Sequence, residues 1–418
     1  MGKTNMRNIS PGMVLEGDIK DQQGRILAFS GQEVTEKLMR VFKIWGIGEI
    51  RVAAHAPGPT EGSDGTIPER IRQTAEEITR YRFQYNDLND PFVHELFRIS
   101  SLRKARQLFR NRNKPKSDDL SGMRPGPDGR PARNEKLDVG DLITRSLNLG
   151  SIPDVYYKII TAINNSDTSL EDIAGIVSKD ITLSAKVLQL VNSSFYSLRQ
   201  KVDTLSWALA LIGTNQLMTV VSGVSAVRLF KNIPSDLINM VSFWEHSIAC
   251  GAAARLLSSY NPVRNDGERF FVAGLLHDIG RLILIQNRPE QYAAIFDRVK
   301  AEANFLSIAE ADIFGLDHSA VGAELALHWN LPESLVSMIK HHHSPGGGGV
   351  MFENAIINLA DIIVNALEIG NSGEFFVPVL EARTCRELAL DMSILPSVIT
   401  EIDNQLTDIF EIIHGNPA

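Results

Sequence analysis

The sequence predicts a mainly α-helical protein, in which a large all-helical C-terminal domain follows a small N-terminal module that contains β-strands. Three observations support this fold class. The chain has 418 residues, of which 44% are hydrophobic and 22% are charged, so it is long enough for two or three folded units and too apolar to be disordered. Strand-like alternation with turn residues is confined to residues 1–54. From residue 137 onwards, almost every apolar pattern repeats at helical spacing.

The N-terminal module, residues 1–54, is predicted to be rich in β-structure. Met13–Ile19 and Arg25–Phe29 resemble strands and flank the turn-like segment Asp21–Gly24, which predicts a hairpin. Val34–Trp45 then has the pattern of a short helix, and Glu49–Val52 alternates like a closing strand. A module of this size is too small to carry much chemistry of its own.

Two segments without apolar clusters separate the predicted folded parts. Residues 55–68, HAPGPTEGSDGTIP, are rich in Pro, Gly and Ser and predict an exposed linker. Residues 113–136, NKPKSDDLSGMRPGPDGRPARNEK, predict a flexible tether. Between them, residues 69–112 form a predicted helical connector, and the all-helical domain occupies residues 137–418.

Individual helices are indicated by spacing and by capping residues. In the connector, Ile71, Ala75 and Ile78 recur at intervals of four and three residues. In the C-terminal domain, Ser169 with Asp172 forms a near capping box before an apolar run. The last helix repeats apolar residues at helical spacing and is predicted to cover the core; these residues are Ile399, Ile402, Leu406, Ile409 and Ile413.

Charge argues against a protein whose whole surface binds nucleic acid. The net charge is −8, and the pI is near 5.7. Arg98–Lys116 nevertheless contains eight Lys or Arg residues and no acid, which is compatible with a nucleic-acid or anionic-membrane patch or with a solvated helix end. We favour the solvated helix end, because only Phe109 interleaves with the charges. DNA is therefore not the expected partner.

The same features favour a cytoplasmic protein without a membrane span. The longest uncharged window, Thr204–Val227, is interrupted by polar residues and split by Gly213, which predicts two buried helices instead of one span. The cysteines, Cys250 and Cys385, form no CxxC pair, so the sequence predicts neither a disulfide framework nor a cysteine-only zinc site. A reducing cytoplasm is the expected location.

A cluster of histidines and aspartates carries the candidate chemistry. Seven of the ten histidines lie between His246 and His343, and one of them is part of the dipeptide His277–Asp278. Imidazole nitrogens and carboxylate oxygens are ligands of Zn, Fe, Mn and similar divalent ions. The candidate ligands are His246, His277, Asp278, His318, His342, His343 and Asp361.

The segments that carry these residues resemble the HD superfamily, and more closely its HD-related output domain (HDOD), from about Leu147 to Asp361. In that family's order, the chain contains IPDVYYKI, SKDITLSAKVLQLVNSSFY, SWALALIGTNQLMTVV, AGLLHDIGRLIL, DHSAVGAELALHWNLPESL and IKHHHSP. Residues 7–52 are similar to the small domain that often precedes HD-GYP cyclic-di-GMP phosphodiesterases. The resemblance implies an all-helical bacterial domain of signal transduction, usually joined to sensory or receiver modules as in two-component signalling.

HD-GYP enzymes hold two or more metal ions with an ordered ligand set of H, HD, H, HH and D. The resemblance implies that one ion would be held by His246, His277, Asp278 and Asp361. It implies further that Asp278 would bridge to a second ion, held by His318, His342 and His343.

Two departures from the enzyme pattern bear on catalysis. Arg281 occupies a position where the enzymes carry Lys, and a guanidinium does not replace a point charge. After the paired histidines, Ser344, Pro345 and GGGGV replace an acidic residue and the GYP loop. Hydrolysis of cyclic di-GMP is therefore not expected, although Asp278 and Arg281 remain candidate catalytic residues.

Three functions follow from the sequence. The first is a regulatory protein that acts through contacts with signalling proteins and holds a divalent metal pair. The second is a metal-dependent phosphohydrolase with a nucleotide or another phosphoester as ligand. The third, least favoured, is a DNA-binding regulator.

Overall fold

The computed structural model describes the central and C-terminal parts of the chain in most detail. The longer described ranges are 67–111, 137–149, 168–192, 201–211, 233–260, 267–329, 331–347, 351–389 and 394–414. The remaining described residues are short segments within 4–53 and around 158–162, 213–214 and 230. The structure divides into two units, Met1–Arg70 and Ile71–Ala418.

The first unit contains three antiparallel pairs of very short strands. The strands are β1 (Thr4–Asn5), β2 (Val14–Leu15), β3 (Ile19–Lys20), β4 (Ile26–Ala28), β5 (Glu49–Ile50) and β6 (Val52–Ala53). They pair as β1 with β5, β2 with β6, and β3 with β4. Pairs of two or three residues do not establish the predicted β-rich module, which stays a prediction. Its predicted helix and the predicted linker at 55–66 lie outside the described residues.

The described helices confirm that the chain is mainly α. In chain order they are α1 (Glu69–Arg82), α2 (Pro91–Asn111), α3 (Val139–Leu149), α4 (Leu170–Val177), α5 (Ile181–Val191), α6 (Met240–Ser259), α7 (Gly267–Leu276), α8 (Ile279–Asn287), α9 (Pro289–Glu302), α10 (Leu306–Phe314), α11 (His318–His328), α12 (Glu333–Lys340), α13 (Met351–Ala366), α14 (Ala382–Leu388) and α15 (Leu395–His414). Among the described residues, we find no helix that is long and apolar enough to cross a bilayer.

Local sequence explains where several helices begin. The predicted capping box at the start of α4 is present: the Ser169 hydroxyl accepts from the Asp172 amide at 3.1 Å, and the Asp172 carboxylate accepts from the Ser169 amide at 3.1 Å. Asn239 caps α6 in the same manner, because its side-chain oxygen accepts from the Ser242 amide. Such caps stabilise a helix start by about 1 kcal/mol each.

The core of the second unit is built around α6 and α13. From Asn354 to Ala366 every residue of α13 is buried, including a polar stripe at helical spacing that consists of Asn354, Asn358, Asp361 and Asn365. In α6, Phe243 and Trp244 are 0% and 1% exposed. Truncating an aromatic side chain so completely buried costs about 3–5 kcal/mol, so this part of the fold is strongly determined by packing.

The helices of the predicted connector pack against the C-terminal helices. Arg82 donates to the main-chain oxygens of Asn365 at 2.9 Å and of Phe375 at 3.2 Å. Phe83 and Leu96 belong to the same apolar cluster as α6 and α13. The connector is therefore part of the second unit. The tether expected at residues 113–136 lies outside the described residues.

Several described basic residues of the connector form ion pairs. Arg103 contacts Asp403 at 2.8 Å, and Lys104 contacts Glu368 at 2.7 Å. Arg98 pairs with Glu95 within α2 at 2.8 Å. Exposed pairs of this kind add little stability, but they neutralise part of the positive charge that DNA binding would need.

Candidate metal centre

Helix α6 contributes two side chains to the site. His246 and Cys250 are one helical turn apart, so they lie on the same face of the helix, and both are buried. A Cβ atom at Gly251 would lie 2.6 Å from the main-chain oxygen of Phe271, and one at Gly274 would lie 2.7 Å from the main-chain carbon of Cys250. Because glycine carries no Cβ, α6 and α7 approach closely enough to place the end of α7 beside His246.

The dipeptide His277–Asp278 lies at the break between α7 and α8. Asp278 has φ −95° and ψ 4°, so the chain leaves helical geometry there and both side chains reach one centre. His277 Nδ1 donates to the main-chain oxygen of Gly274 at 2.6 Å. A carbonyl oxygen only accepts, so this contact places a proton on Nδ1 and leaves Nε2 to face the centre.

Helix α11 brings His318 to the opposite side of Asp278. The Asp317 side chain caps α11 by accepting from the Ala320 amide at 3.1 Å, which places His318 in the first turn. A Cβ at Gly280 of α8 would lie 2.1 Å from the His318 main-chain oxygen. The backbones of α8 and α11 are thus in direct contact, and His318 Nε2 lies 2.9 Å from Asp278 Oδ1.

His342 and His343 follow the C-terminal end of α12. His342 Nδ1 donates to the main-chain oxygen of Ile339 at 2.7 Å, while Asn358 Nδ2 donates to the main-chain oxygen of His342 at 2.7 Å. These two contacts fix the turn and the ring. His343 Nε2 lies 2.9 Å from His318 Nε2, and His343 is partly exposed. His341 points elsewhere, towards Gly347.

Helix α13 supplies Asp361 from the centre of the fold. Its Oδ1 lies 3.1 Å from His246 Nε2 and 3.5 Å from His277 Nε2. Asn365, one turn later, donates to the same oxygen at 2.7 Å. That hydrogen bond holds the carboxylate in place on a helix that is itself buried.

All seven predicted ligands converge, and they divide into two groups around Asp278. The first donor group is His246, Cys250, His277 and Asp361, and the second donor group is Asp278, His318, His342 and His343. Within each group the donor atoms lie within 4.8 Å of one another. Asp278 Oδ2 faces the first group, 3.2 Å from His277 Nε2. Its Oδ1 faces the second group, 3.8 Å from His342 Nε2.

The two aspartates are strongly acidic in this setting. Burial alone would raise the pKa of each carboxyl, but neighbouring cationic and donor groups override it. Arg281 and His277 hold the pKa of Asp278 well below its usual range. Hydrogen bonds and charge from His246 and His277 lower the pKa of Asp361. Both side chains are therefore carboxylates at any physiological pH.

The histidines separate into protonated and neutral rings. Burial would lower the pKa of His277, but Asp278 and Asp361 raise it to about 10. Burial and Arg281 would lower the pKa of His318, but Glu310 and Asp278 raise it to about 9. The pKa of His342 falls to about 3, chiefly through burial and then the charges of His277 and His318.

Arg281 is buried inside the second donor group. Its side chain is 1% exposed, and Nη1 donates to the main-chain oxygen and the hydroxyl of Ser372, both at 2.8 Å. Nη1 also lies 3.3 Å from Asp278 Oδ2, and Nη2 lies 3.1 Å from His318 Nε2. The predicted catalytic candidates Asp278 and Arg281 thus form a buried ion pair.

Glu310 orients His318 from outside the two groups. Its Oε2 accepts from the His318 amide at 2.8 Å and lies 2.5 Å from His318 Nδ1. Its other oxygen accepts from the hydroxyl of buried Tyr292. A carboxylate on the far nitrogen of a histidine is the usual partner of a metal-binding imidazole, because it fixes the tautomer and ring orientation.

The residues present suit divalent cations. Among the described residues, His277 Nε2 and His342 Nε2 are buried ring nitrogens without a hydrogen-bond partner. Such atoms cost free energy unless something binds them. Imidazole nitrogens and a carboxylate oxygen surround each of the two positions, and the first position also has the sulfur of Cys250; Zn, Fe and related ions accept these donors. The two groups could therefore each hold one ion, with Asp278 between them.

Sequence reasoning did not identify all the residues of the site. Cys250 could have been predicted from the sequence, because it follows His246 by one helical turn and therefore lies on the same face of the helix. Glu310 and Ser372 carried none: they reach the site only through the packing of α10 and of the segment after α13.

Comparison with known proteins finds a domain match in the middle of the chain. The model of the HDOD domain matches residues 149–345. An uncharacterised protein of Treponema pallidum (strain Nichols) is 26% identical over 198 residues, which is 47% of this chain and 38% of that protein. The chain thus spans well under half the length of this curated relative.

Solved structures show the same fold. An HDOD domain protein of unknown function from Geobacter sulfurreducens aligns with a TM-score of 0.50 and 24% identity, covering 66% of this chain and 99% of its own. A candidate phosphohydrolase of Shewanella amazonensis SB2B aligns with a TM-score of 0.53 and 20% identity, covering 65% and 97%. A candidate signal transduction protein of Marinobacter aquaeolei VT8 aligns with a TM-score of 0.51 and 18% identity, and the alignment covers 75% of this chain and 72% of that protein. Residues 149–345 of the chain thus match the HDOD domain, and the fold agrees with that of solved HDOD domain proteins.

Proposed function

We propose that the protein is a bacterial signal-transduction regulator whose HDOD domain holds a pair of divalent metal ions and acts mainly through contacts with other signalling proteins. One observation carries the proposal: a complete set of metal donors lies inside the helical core. His246, His277, Asp278, His318 and His342 are at most 3% exposed. A centre enclosed in this way suits a structural or sensory ion better than an open catalytic site.

The donors come from separate helices, so a bound ion would hold those helices together. His246 lies on α6, His318 on α11 and Asp361 on α13, while Asp278 lies between α7 and α8. An ion bound to these side chains links helices that are far apart in sequence. Since metal binding and folding are coupled, ion occupancy would change how firmly the helices hold their relative positions. A partner that contacts the outer faces of these helices would respond to that change.

The segment after the paired histidines folds back over the protein. A Cβ at Gly347 would lie 2.3 Å from His341 Nδ1, and one at Gly346 would lie 2.7 Å from Arg383 Nη1. Asn354 Nδ2 donates to the Gly347 main-chain oxygen at 2.8 Å. At Gly346 and Gly347, which stand where the related enzymes carry their GYP loop, the backbone thus packs closely against the protein, which supports a regulatory function over hydrolysis of cyclic di-GMP.

A second candidate function is a metal-dependent phosphohydrolase, with a nucleotide or another phosphoester as ligand. It is favoured by one observation: the second donor group includes His343, which is partly exposed. Two metal ions bound at this centre would lower the pKa of a coordinated water molecule and so supply a hydroxide nucleophile. Asp278 would hold both ions and Arg281 would balance its charge.

Metal analysis with an activity panel tests both candidates. Freshly purified protein should contain near-stoichiometric transition metal and should not hydrolyse phosphodiesters, cyclic dinucleotides included. Asp278→Ala should lose the metal, while Asp297→Ala, which changes an exposed carboxylate on α9, should retain it. Turnover that disappears in Asp278→Ala would establish the enzyme instead of the regulator. Protein that binds no added Zn²⁺, Mn²⁺ or Fe²⁺ would refute the metal centre itself.

A further inference from the structure

Cys250 lies among the donor atoms of the first group. Its side chain is 0% exposed and the residue is a free cysteine. Sγ lies 3.5 Å from His246 Nε2 and 3.9 Å from Asp361 Oδ1. Its α6 position, one turn after His246, directs the thiol to the same point as the imidazole.

An independent observation indicates that a ligand belongs at this point. His277 Nε2 is buried without a hydrogen-bond partner among the described residues, and His277 is 0% exposed. The nitrogen lies 3.5 Å from Asp361 Oδ1, so it faces the space that Cys250 Sγ also faces.

We propose that Cys250 is a ligand of the first ion, so that one cysteine, two histidines and one aspartate hold a borderline-soft divalent cation, such as Zn²⁺ or Fe²⁺, in a tetrahedral site. This inference rests on the proposed metal centre and assigns the chemistry of one of its two positions. The ligand set that the resemblance to HD-GYP enzymes implies contains no cysteine.

The spacing of the donors matches a tetrahedron. With zinc–sulfur distances of about 2.3 Å and zinc–nitrogen or zinc–oxygen distances of about 2.0–2.2 Å, tetrahedral angles place S and N about 3.6 Å apart and N and O about 3.4 Å apart. The Sγ–Nε2 distance to His246 is 3.5 Å. The two N–O distances to Asp361 are 3.1 Å and 3.5 Å. The Sγ–Oδ1 distance of 3.9 Å to Asp361 is longer than the tetrahedral value of about 3.6 Å, so a cation at the centre would draw these two side chains together by about 0.3 Å.

Asp278 Oδ2 is the competing fourth donor. It lies 3.7 Å from His246 Nε2 and 3.2 Å from His277 Nε2. Arg281 Nη1 is 3.3 Å from this oxygen and already supplies a positive charge to it. Cys250 Sγ instead contacts His246 Nε2 and the carboxylate oxygen Oδ1 of Asp361, and neither contact is a guanidinium. The sulfur is therefore the donor that gains most from a bound cation. A thiolate ligand also disfavours hard ions such as Mg²⁺ and Mn²⁺.

Cobalt spectroscopy tests the assignment on the full chain. Metal-free protein is loaded with two equivalents of Co²⁺, enough to fill both donor groups, and its near-ultraviolet and visible spectra are recorded. We expect an intense thiolate-to-cobalt charge-transfer band in the wild type. The band should persist in Cys385→Ser, which changes the other cysteine, a partly buried one on α14. It should disappear in Cys250→Ser, while the weaker visible bands show that Co²⁺ is still bound.

The outcomes separate this inference from the proposed function. If Co²⁺ binds the wild type stoichiometrically without a charge-transfer band, or if Cys250→Ser keeps the band, the cysteine is not a ligand and the metal centre stands without it. If the wild type binds no Co²⁺, both proposals are refuted. The wild-type spectrum alone decides the question should Cys250→Ser fail to fold.

Discussion

Gly280→Ala should disrupt both the fold and the candidate centre. The added Cβ would lie 2.1 Å from the main-chain oxygen of His318 and 2.5 Å from the main-chain nitrogen of Gly322. Ordinary contact begins near 3.4 Å, so α8 and α11 would have to separate by about 1.3 Å. The obstructing atoms are backbone, and no rotamer change relieves them. We expect a loss of about 3 kcal/mol or more in the free energy of unfolding, at the upper end of overpacking costs.

The same displacement should weaken metal binding. His318 is the residue that the new Cβ strikes, and its Nε2 lies 2.9 Å from Asp278 Oδ1. Metal sites tolerate deviations of only about 0.2 Å in ligand distance. A shift of helix α11 away from α8 therefore moves the imidazole of His318 away from the carboxylate of Asp278 within the second donor group. Isothermal titration with Zn²⁺ should show a weakened or absent site in Gly280→Ala.

Two other glycines provide graded controls for urea denaturation of the metal-free proteins. At Gly322 a Cβ meets the flexible Ile339 Cγ2 at 3.1 Å, so Gly322→Ala should cost about 1 kcal/mol. At Gly175, on an exposed face of α4, a Cβ meets nothing within 4 Å, so Gly175→Ala should stabilise by about 0.5–1 kcal/mol. A Gly280→Ala protein as stable as Gly175→Ala would refute the close helix contact.

Three further predictions concern charge at the centre. Because the metal-free pKa of His277 is about 10 and that of His318 about 9, and the two rings belong to different donor groups, an ion in either group must displace one imidazole proton at pH 7. The affinity of the second donor group should rise roughly 10-fold per pH unit up to about pH 9, and that of the first donor group more steeply, because the thiol proton of Cys250 is displaced as well. Competition with a chelating dye measures both, and a flat profile would contradict these protonation states. Arg281→Met should destabilise the metal-free protein by about 3–5 kcal/mol, because a buried carboxylate loses its cation, and saturating Zn²⁺ should recover most of the loss in a thermal melt; equal destabilisation with and without Zn²⁺ would contradict this role. Glu310→Gln should reduce metal affinity about 10- to 100-fold by loosening His318, whereas the exposed control Glu302→Gln should not change it.

The residues of the candidate centre were predictable because they lie in recognisable local motifs. His277 and Asp278 lie in GLLHDIGRL, and His342 and His343 lie in IKHHHSP. The order of such motifs along the chain carries the family resemblance, which the match to residues 149–345 confirms. Helices with clear spacing or capping signals, such as α4 after Ser169, were predictable for the same reason: the information lies within one turn of the chain.

The supporting residues were not predictable, because their roles depend on contacts between distant segments. Arg281 and Ser372 are 91 positions apart, yet their side chains are 2.8 Å apart. Glu310 is eight positions before His318, a spacing that does not by itself predict a contact. The two side chains meet because Gly315 ends α10 in a left-handed conformation at φ 80° and the chain then turns into α11. The packing of the connector helices on the C-terminal helices is a contact of the same long-range kind.

In the proposed centre, protons and metal ions would be alternative sources of positive charge. In the metal-free protein, imidazolium rings at His277 and His318 and the guanidinium of Arg281 surround the carboxylates of Asp278 and Asp361. A divalent ion supplies the same positive charge to the same oxygens and releases the imidazole protons. Because the carboxylates are neutralised in both states, the helices that carry them need not separate when an ion leaves. We infer that ion occupancy adjusts the packing of a folded domain, which a regulator acting through protein contacts requires.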